Sequence, residues 1–163
     1  MEVRSVADAD RPWVAERCRE AFGSEEVVSL GRRFSPAGLP GLVACEGVRR
    51  AGALAFVEEP GGAEVVLLVA DPPGRGAGTA LLVALEELGR SRGWVRLRLG
   101  TTNDNCAALH FYQRRGWDLV ALHRGAVARD RQLKVEIPRT GRDGIPLRHV
   151  LELERLLREE EAP

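Results

Sequence analysis

The sequence predicts an α/β fold with a mixed, mostly antiparallel sheet, one parallel strand pair and about four helices. Two observations support this prediction. Three apolar, strand-like segments follow one another across short turns, which indicates an antiparallel meander. The third of them, Val65–Val69, is followed by a glycine-rich turn, an amphipathic helix and a further strand. A strand–helix–strand unit of this kind crosses over with a right hand and leaves its two strands parallel.

Length and composition restrict the class of protein. The chain has 163 residues, of which 44% are hydrophobic and 29% charged, as is typical of one globular domain. We expect a single domain over residues 1–157 and an acidic tail over residues 158–163. The 24 basic side chains balance the 24 acidic ones, so no overall field favours nucleic acid. A charged start and the lack of a long apolar run predict a cytoplasmic protein that does not insert into a membrane.

The three cysteines do not suggest a disulfide or a metal centre. They are odd in number and widely spaced, with no C-x-x-C pair and no histidine at ligand spacing. The sequence therefore predicts reduced thiols, most of them buried, and no metal.

Two helices are predicted near the N-terminus. The first follows a short strand, Val3–Val6, begins near Asp10 and ends at Gly23. The second is capped by Ser24 and ends near Phe34. Four residues of the first helix have the spacing of a buried face: Val14, Cys18, Ala21 and Phe22.

The central elements follow a loop, Ser35–Gly41, that is too rich in proline and glycine for regular structure. Strands are predicted over Leu42–Glu46, Ala51–Glu58 and Glu64–Ala70. The helix after the glycine-rich turn has one apolar stripe, formed by Ala77, Leu81, Ala84, Leu85 and Leu88, and the next strand, Trp94–Gly100, alternates apolar and basic residues.

The C-terminal third begins with a helix that Asn103, Asp104 or Asn105 can cap and that Gly116 ends. A strand is predicted over Trp117–Val127. Residues 128–148 follow as an irregular basic excursion, and residues 147–157 fit either a helix face or a strand.

The glycine-rich turn itself predicts a phosphate site. Gly74, Gly76 and Gly78 lead into a helix, and such a turn presents bare backbone N–H groups at the positive end of the helix dipole. A Rossmann fingerprint would need a third glycine or alanine where Thr79 or Leu81 stands, and a P-loop would need a lysine that this sequence lacks there. Both nucleotide motifs are therefore disfavoured.

Two ordered motifs resemble the GNAT superfamily of N-acetyltransferases. Gly76-Ala77-Gly78, followed by Thr79, is similar to the second half of that family's pyrophosphate loop, R/Q-x-x-G-x-G/A. Pro73 stands where the family has Arg or Gln, and Arg75 is a possible substitute. A downstream segment matches the pattern N-x-x-A-[LI]-x-[LF]-Y-x-x-x-G-[FWY] through Asn105, Ala108, Leu109, Phe111, Tyr112, Gly116 and Trp117.

The resemblance implies the GNAT acyl-CoA N-acyltransferase fold, in which the parallel strands splay apart and hold the acyl-CoA arm. It also makes residues 147–157 a strand that hairpins back onto Trp117–Val127, and the loop Ser35–Gly41 the border of the acceptor site. Acetyl-CoA is the implied cosubstrate. The implied cofactor-binding residues are Leu68, Val69, Ala70, Arg75, Gly76, Ala77, Gly78, Thr79, Asn105 and Tyr112, with the first three acting through their main chain.

Two residues are candidates for proton transfer. Tyr112 is the only tyrosine, and a phenol with a pKa near 10 can protonate a leaving thiolate whose conjugate acid has a pKa near 8.5. The alternative is an aromatic that only packs. Glu64 is the first candidate for the general base, with Glu58, His110 and His123 behind it. Cys106 is the one residue that would permit a covalent intermediate, but the motifs pair no histidine with it.

The sequence thus predicts transfer of an acetyl group from acetyl-CoA to a primary amine of a small molecule or protein. A catalytically idle acetyl-CoA-binding sensor or interaction module is the rival hypothesis, and a plain nucleotide-binding domain is a third. The basic segment 128–148 could bind the 3′-phosphate of CoA, contact an acidic acceptor, or reach a second subunit in a homodimer. A solvated loop is the commonest role of such a charge run.

Overall fold

The structure is a computed structural model that describes residues 1–158. Residues 159–163, most of the predicted acidic tail, lie outside the described residues. The strands are β1 (Glu2–Ser5), β2 (Val27–Ser29), β3 (Arg32–Phe34), β4 (Gly41–Glu46), β5 (Arg49–Glu59), β6 (Gly62–Ala70), β7 (Arg96–Thr102), β8 (Asp118–His123) and β9 (Val150–Leu156), and the helices are α1 (Arg11–Phe22), α2 (Ala77–Ser91), α3 (Cys106–Arg114) and α4 (Ala126–Leu133).

Seven of these strands form one sheet in the order β1-β4-β5-β6-β7-β9-β8, and β2 and β3 form a separate hairpin. β4, β5 and β6 are antiparallel neighbours, which confirms the predicted meander. The pairing of β5 with β6 shifts register between Ala55 and Phe56, whose partners are Leu67 and Val65. Val66 is thus the extra residue of a bulge in β6.

The predicted parallel pair is β6 and β7, joined through α2. Their pairing is short: Gly62, Ala63 and Glu64 oppose Arg96, Leu97 and Arg98. Beyond this point β6 continues along β5 as far as Ala70, while β7 continues along β9 as far as Thr102. The two strands therefore part, which confirms the splayed arrangement expected of this fold.

Helices cover both faces of the sheet. The predicted stripe of α2 is confirmed, since Ala77, Leu81 and Leu85 are buried in the main core with β4, β5 and β6. On the other face, Val14 and Cys18 of α1 pack against Ala53, Ala55 and Leu67. The prediction that Ala21 and Phe22 are buried is wrong, because both are exposed in the last turn of α1, before Gly23 ends the helix.

The predicted helix over residues 24–34 is wrong, because this segment is the β2–β3 hairpin. Ser24 does not cap a helix; its hydroxyl bonds the N–H of Glu26 at 3.2 Å within a local turn. Leu30 and Gly31 have φ values of 52° and 76°, and two successive positive φ angles form the tight turn of a hairpin.

The prediction that a strand runs to Val127 is also wrong, and so is the prediction that residues 128–148 are wholly irregular. β8 ends at His123, Gly125 adopts a φ of 71°, and α4 follows. Ala126, Val127 and Asp130 are the buried residues of α4 and have helical spacing. The last segment is a strand, as predicted, although it begins only at Val150 and lies between β7 and β8.

Three further observations concern the described part of the chain. Cys18 and Cys45 are free and buried, whereas Cys106 is free and exposed. None of the helices within residues 1–158 is both long and apolar enough to cross a membrane. No group of three or more His, Cys, Asp or Glu side chains is arranged to hold a metal ion in this range.

Candidate functional site

A cavity of about 690 Å³ lies where β6 and β7 part. One wall follows β6 from Val65 to Leu68 and another follows β7 from Leu99 to Thr102. On the β7 side of β6, the residues after Glu64 have no strand partner within residues 1–158. Main-chain groups of β6 that point away from β5 are therefore available to an extended ligand that lies along the strand.

Tyr112 lies on the same cavity. It belongs to α3, its ring packs edge-on against Phe111 and Trp117 at centroid distances of 5.2 and 5.4 Å, and only 8% of it is exposed. This burial raises the pKa of its phenol well above the ordinary value. The phenol is consequently protonated throughout the neutral range and can act as a proton donor.

Asn105 is the N-cap of α3, and its side chain accepts a hydrogen bond from the N–H of Ala108 at 3.2 Å. It also lines the cavity, as does Leu68. Of the predicted cofactor residues, these two and Tyr112 are therefore brought together. Val69 and Ala70 continue β6 beyond Leu68, paired with Ala53 and Gly52 of β5.

The predicted phosphate turn precedes α2. Gly76 is the N-cap, with a φ of 90°, and no side chain caps the helix. The first-turn N–H groups of Ala77, Gly78 and Thr79 are thus left for a ligand at the positive end of a 15-residue helix. Arg75 is exposed beside this turn.

The start of α2 is in contact with the helix that carries Tyr112. A Cβ atom on Gly78 would lie 3.1 Å from Cζ of Phe111. Arg115 donates from Nε to Oγ1 of Thr79 at 2.9 Å and from Nη1 to the carbonyl of Phe111, also at 2.9 Å. Neither sequence motif includes Arg115, because its proximity to Thr79 arises only from the packing of α3 on α2.

Glu64 does not lie on the cavity wall. It is buried, with an exposed fraction of 3%, and pairs with Arg32 on one side and Arg98 on the other. Arg98 also bonds Glu59 at 2.6 Å and Glu152 at 3.0 Å, so Glu64 is part of an ion-pair network beneath the cavity strands. The structure therefore places Tyr112, the predicted acid, on the cavity, and Glu64, the predicted base, in the ion-pair network away from its lining.

The other residues considered for proton transfer or covalent chemistry are also absent from the cavity lining of the described chain. Glu58 is exposed and pairs with Arg92, and His110 is exposed on α3. His123 lies 3.7 Å from Glu152, and Cys106 is exposed at the start of α3. The carboxylates that do line the cavity are Asp104, Asp130 and Glu136.

The remaining wall is formed by residues 27–34 and 126–148, which we call the roof. Its parts are held together by buried charges. Asp130 of α4 accepts hydrogen bonds from the N–H groups of Leu30 and Gly31 at 3.2 and 2.8 Å. Lys134, which is 7% exposed, donates from Nζ to the carbonyls of Phe22 and Glu26 at 3.0 and 2.8 Å. The hairpin, α4 and the end of α1 therefore form one connected unit.

A second set of bonds ties the roof to the loop before α3. Asp104 accepts from the N–H of Arg142 at 3.0 Å and from its Nη1 at 3.3 Å. Burial, the largest influence, raises the pKa of Asp104, but the Thr102 hydroxyl and the Arg142 N–H and guanidinium together lower the pKa below its usual range. Asn103 bonds the carbonyl of Pro146 and the N–H groups of Arg148 and His149.

The chain is similar to known proteins in sequence and in fold. The sequence model described as the Acetyltransferase (GNAT) family matches residues 8–117. The uncharacterized protein YxbD of Bacillus subtilis (strain 168) is 40% identical over 100 residues, which are 61% of this chain and 63% of that relative. YdhI of the same strain is 37% identical over 97 residues, 60% and 61% of the two chains. The chain therefore spans about three-fifths of the length of both relatives.

A solved structure shows the same fold. The structure of yncA from Salmonella typhimurium with its cofactor acetyl-CoA has a TM-score of 0.69 and a sequence identity of 18%. The alignment covers 100% of this chain and 97% of yncA.

Proposed function

The chain belongs to the acetyltransferase (GNAT) family, and we propose that it transfers an acetyl group from acetyl-CoA to a primary amine by direct attack, without a covalent enzyme intermediate. One observation carries the proposal: Tyr112, the bulged strand β6 and the parted edge of β7 meet on a single cavity. The acetyl-CoA bound to yncA supports the same cosubstrate here.

Binding is divided between two elements. The N–H groups that open α2 take the diphosphate of CoA, with Arg75 and Arg115 as nearby cations. The pantetheine arm lies along β6 and bonds main-chain groups of Leu68, Val69 and Ala70. The thioester is thereby held next to Tyr112, which positions it for attack.

In the reaction, the amine nitrogen bonds the carbonyl carbon of the thioester, and the C–S bond then breaks. Main-chain N–H groups at the bulge of β6 stabilise the oxyanion that forms in between. Tyr112 gives its proton to the leaving thiolate. Cys106 has no part in this scheme, since it is exposed and away from the cavity lining.

The acceptor must also lose a proton. An amine with a pKa near 10.4 carries a free-energy handicap of about 4.6 kcal/mol at pH 7. Glu64 is the proposed acceptor of this proton, and it could take it only after releasing Arg32 or Arg98.

The proposal is tested with purified protein, calorimetry and a thiol-release assay over a panel of amines. We expect heat of binding with CoA, and free CoA together with N-acetylated amine on turnover. Replacing Tyr112 by Phe should lower kcat about 100-fold and leave the KM for acetyl-CoA nearly unchanged. Binding without turnover would instead identify an idle acetyl-CoA-binding module, and preferential binding of ATP or NAD would identify a nucleotide-binding domain.

A further inference from the structure

The cavity wall has two parts. The strands β6 and β7 and the helix α3 form one part, and the roof and the end of α1 form the other. We propose that this part is the acceptor pocket, and that it selects a small primary amine with an apolar body, captured as a cation at a mouth marked by Glu136. This inference rests on the proposed acetyl transfer and adds the class of acceptor.

Apolar side chains make up about half of the lining of the roof. They are Val27, Val28, Val127, Ile137, Pro138 and Leu147, and Phe22 at the end of α1 and Val150 of β9 also line the cavity. Val127, Leu147 and Val150 belong to one buried cluster against which Ile137 packs, so this surface has a packed core behind it. An acceptor with an apolar body can pack against these side chains, whereas the neutral hydroxyl partners that the roof offers to a polar acceptor are Ser29 and Thr140.

Charged groups on the cavity wall are mostly satisfied within the protein. Asp104 and Arg142 pair with each other, Asp130 holds the hairpin turn, and Lys134 bonds two carbonyls. Glu136 differs: it is exposed, it lines the cavity, and within residues 1–158 no hydrogen bond or ion pair engages its carboxylate. A free carboxylate at the mouth attracts the cationic form of an amine.

Lys134 has the opposite effect on the amine. It is buried in the cavity wall without a carboxylate partner among the described residues. Its positive charge disfavours a second cation inside the cavity and favours the neutral amine. An acceptor that is drawn in past Glu136 would therefore give up its proton, to that carboxylate or to water, before its nitrogen attacks.

The size of the pocket excludes long chains. The volume of about 690 Å³ is within the range of small-molecule sites and is shared with the acetyl end of the cosubstrate. The bonds of Asp130, Lys134 and Asp104 fix the roof in place. The volume available beside the cosubstrate therefore suits a small molecule better than a polypeptide segment.

The test compares four acceptors at equal concentration with acetyl-CoA: phenethylamine, hexylamine, glucosamine and the peptide Ala-Gly-Gly. We expect kcat/KM for phenethylamine and hexylamine to exceed the other two at least tenfold. A preference for glucosamine or the peptide would overturn the inference while leaving acetyl transfer intact. If no amine accelerates CoA release although CoA binds, the proposed function fails instead, and the inference fails with it.

Two variants test the pocket itself. Val28→Trp should fill it and raise the KM for phenethylamine at least tenfold, with the KM for acetyl-CoA unchanged. Glu136→Gln should raise the amine KM about three- to tenfold and weaken its dependence on salt. Val48→Trp, at a fully exposed turn position, and Glu87→Gln, on the exposed face of α2, are the matched controls and should change nothing.

An unchanged amine KM in both pocket variants would refute the assignment. If V28W does not fold, calorimetry on the wild-type protein decides. N-acetylphenethylamine should bind to the complex with CoA, and should bind E136Q about as well, since the product carries no positive charge. Failure of the product to bind the wild-type complex at millimolar concentration would also count against the pocket.

Discussion

In the proposed reaction Tyr112 keeps its proton until a thiolate forms, and its surroundings favour the protonated phenol. The ring is enclosed by Phe111, Trp117 and the core, and this burial opposes formation of the phenolate. A raised pKa means that the protonated, active form of the acid persists to higher pH than in a free tyrosine. Activity should therefore not decline through this group below about pH 10.

The pH dependence of kcat with saturating phenethylamine checks this expectation. The rate should rise up to about pH 10 as the amine loses its proton, with no fall before that point. A fall with an apparent pKa near 8 that disappears in Y112F would contradict it, because the phenol would then ionise within the neutral range.

Glu64 is the predicted general base, and the structure places it within an ion-pair network. Its carboxylate lies between two guanidinium groups, one of them on the exposed Arg32. Replacement by Gln would leave Arg98 with fewer acidic partners, and we expect a loss of about 1–3 kcal/mol in the free energy of unfolding, since part of the network is solvent-screened. Denaturant titration measures this loss.

Kinetics on the same variant separate the two roles. If E64Q retains kcat within about threefold at every pH, Glu64 is structural. A drop of 100-fold or more that is relieved at high pH would restore Glu64 as the general base.

Among the single elements, the turn before α2 is the proposed binding site for the diphosphate of CoA. Gly78→Ala would place a methyl group 3.1 Å from the ring of Phe111, in the first turn of α2. Alanine is favoured over glycine in a helix by about 1 kcal/mol, so the fold should tolerate the change. We expect the KM for acetyl-CoA to rise about tenfold with little loss of stability.

Gly38→Ala is the control, because its Cβ meets nothing within 4 Å and its φ is not positive. Affinity for CoA, measured by calorimetry, should be the same in G38A and the wild-type protein. Equal affinity in G78A as well would show that CoA does not use the start of α2.

The elements differ in how well the sequence predicts them, and the cause is the distance between interacting residues. The parallel pair is joined through a single helix, α2, and its glycine turn and apolar stripe lie within that short stretch, so local patterns were sufficient. The sequence predicts a helix over residues 24–34 where the structure has the hairpin, because the hairpin turn is held by Asp130, 100 residues further along the chain. No local pattern contains that contact.

The residues of the candidate site also differ in how well the sequence predicts them. Tyr112 and Asn105 lie in one motif and on one short helix, and they do meet on the cavity. Glu136, Lys134 and Arg115 come to their sites through the packing of distant segments, and single-sequence motifs did not indicate them. The ion pairs of Glu64 with Arg32 and Arg98 could not be predicted, because position along a strand does not reveal which arginines will pack beside a carboxylate.

For the molecule as a whole, acid should be more damaging than base. Hydrogen bonds from Arg4 lower the pKa of Asp10, and hydrogen bonds from Arg98 lower the pKa of Glu59. Burial raises both pKa values but has the smaller effect. A carboxylate whose pKa is lower in the folded state contributes stability above its unfolded pKa, about 4, and loses it as the pH falls through the folded value. The melting temperature should be level from about pH 5 to 8 and fall below about pH 4.

Asp10→Asn provides the comparison. This residue has no exposed surface and bonds Arg4, Arg50 and the N–H of Ala7. The variant should melt lower at pH 7 and show a shallower decline on acidification. Parallel curves for the two proteins would mean that Asp10 does not contribute to the acid sensitivity.

The early end of the pairing between β6 and β7 has a consequence beyond catalysis. A ligand that lies along the free edge of β6 completes a ladder that the polypeptide leaves unfinished, so its binding free energy also opposes unfolding. At a concentration 100 times its Kd this adds about 2.7 kcal/mol. If CoA is that ligand, as proposed, the lifetime of the protein in a cell would rise with the concentration of CoA and its thioesters.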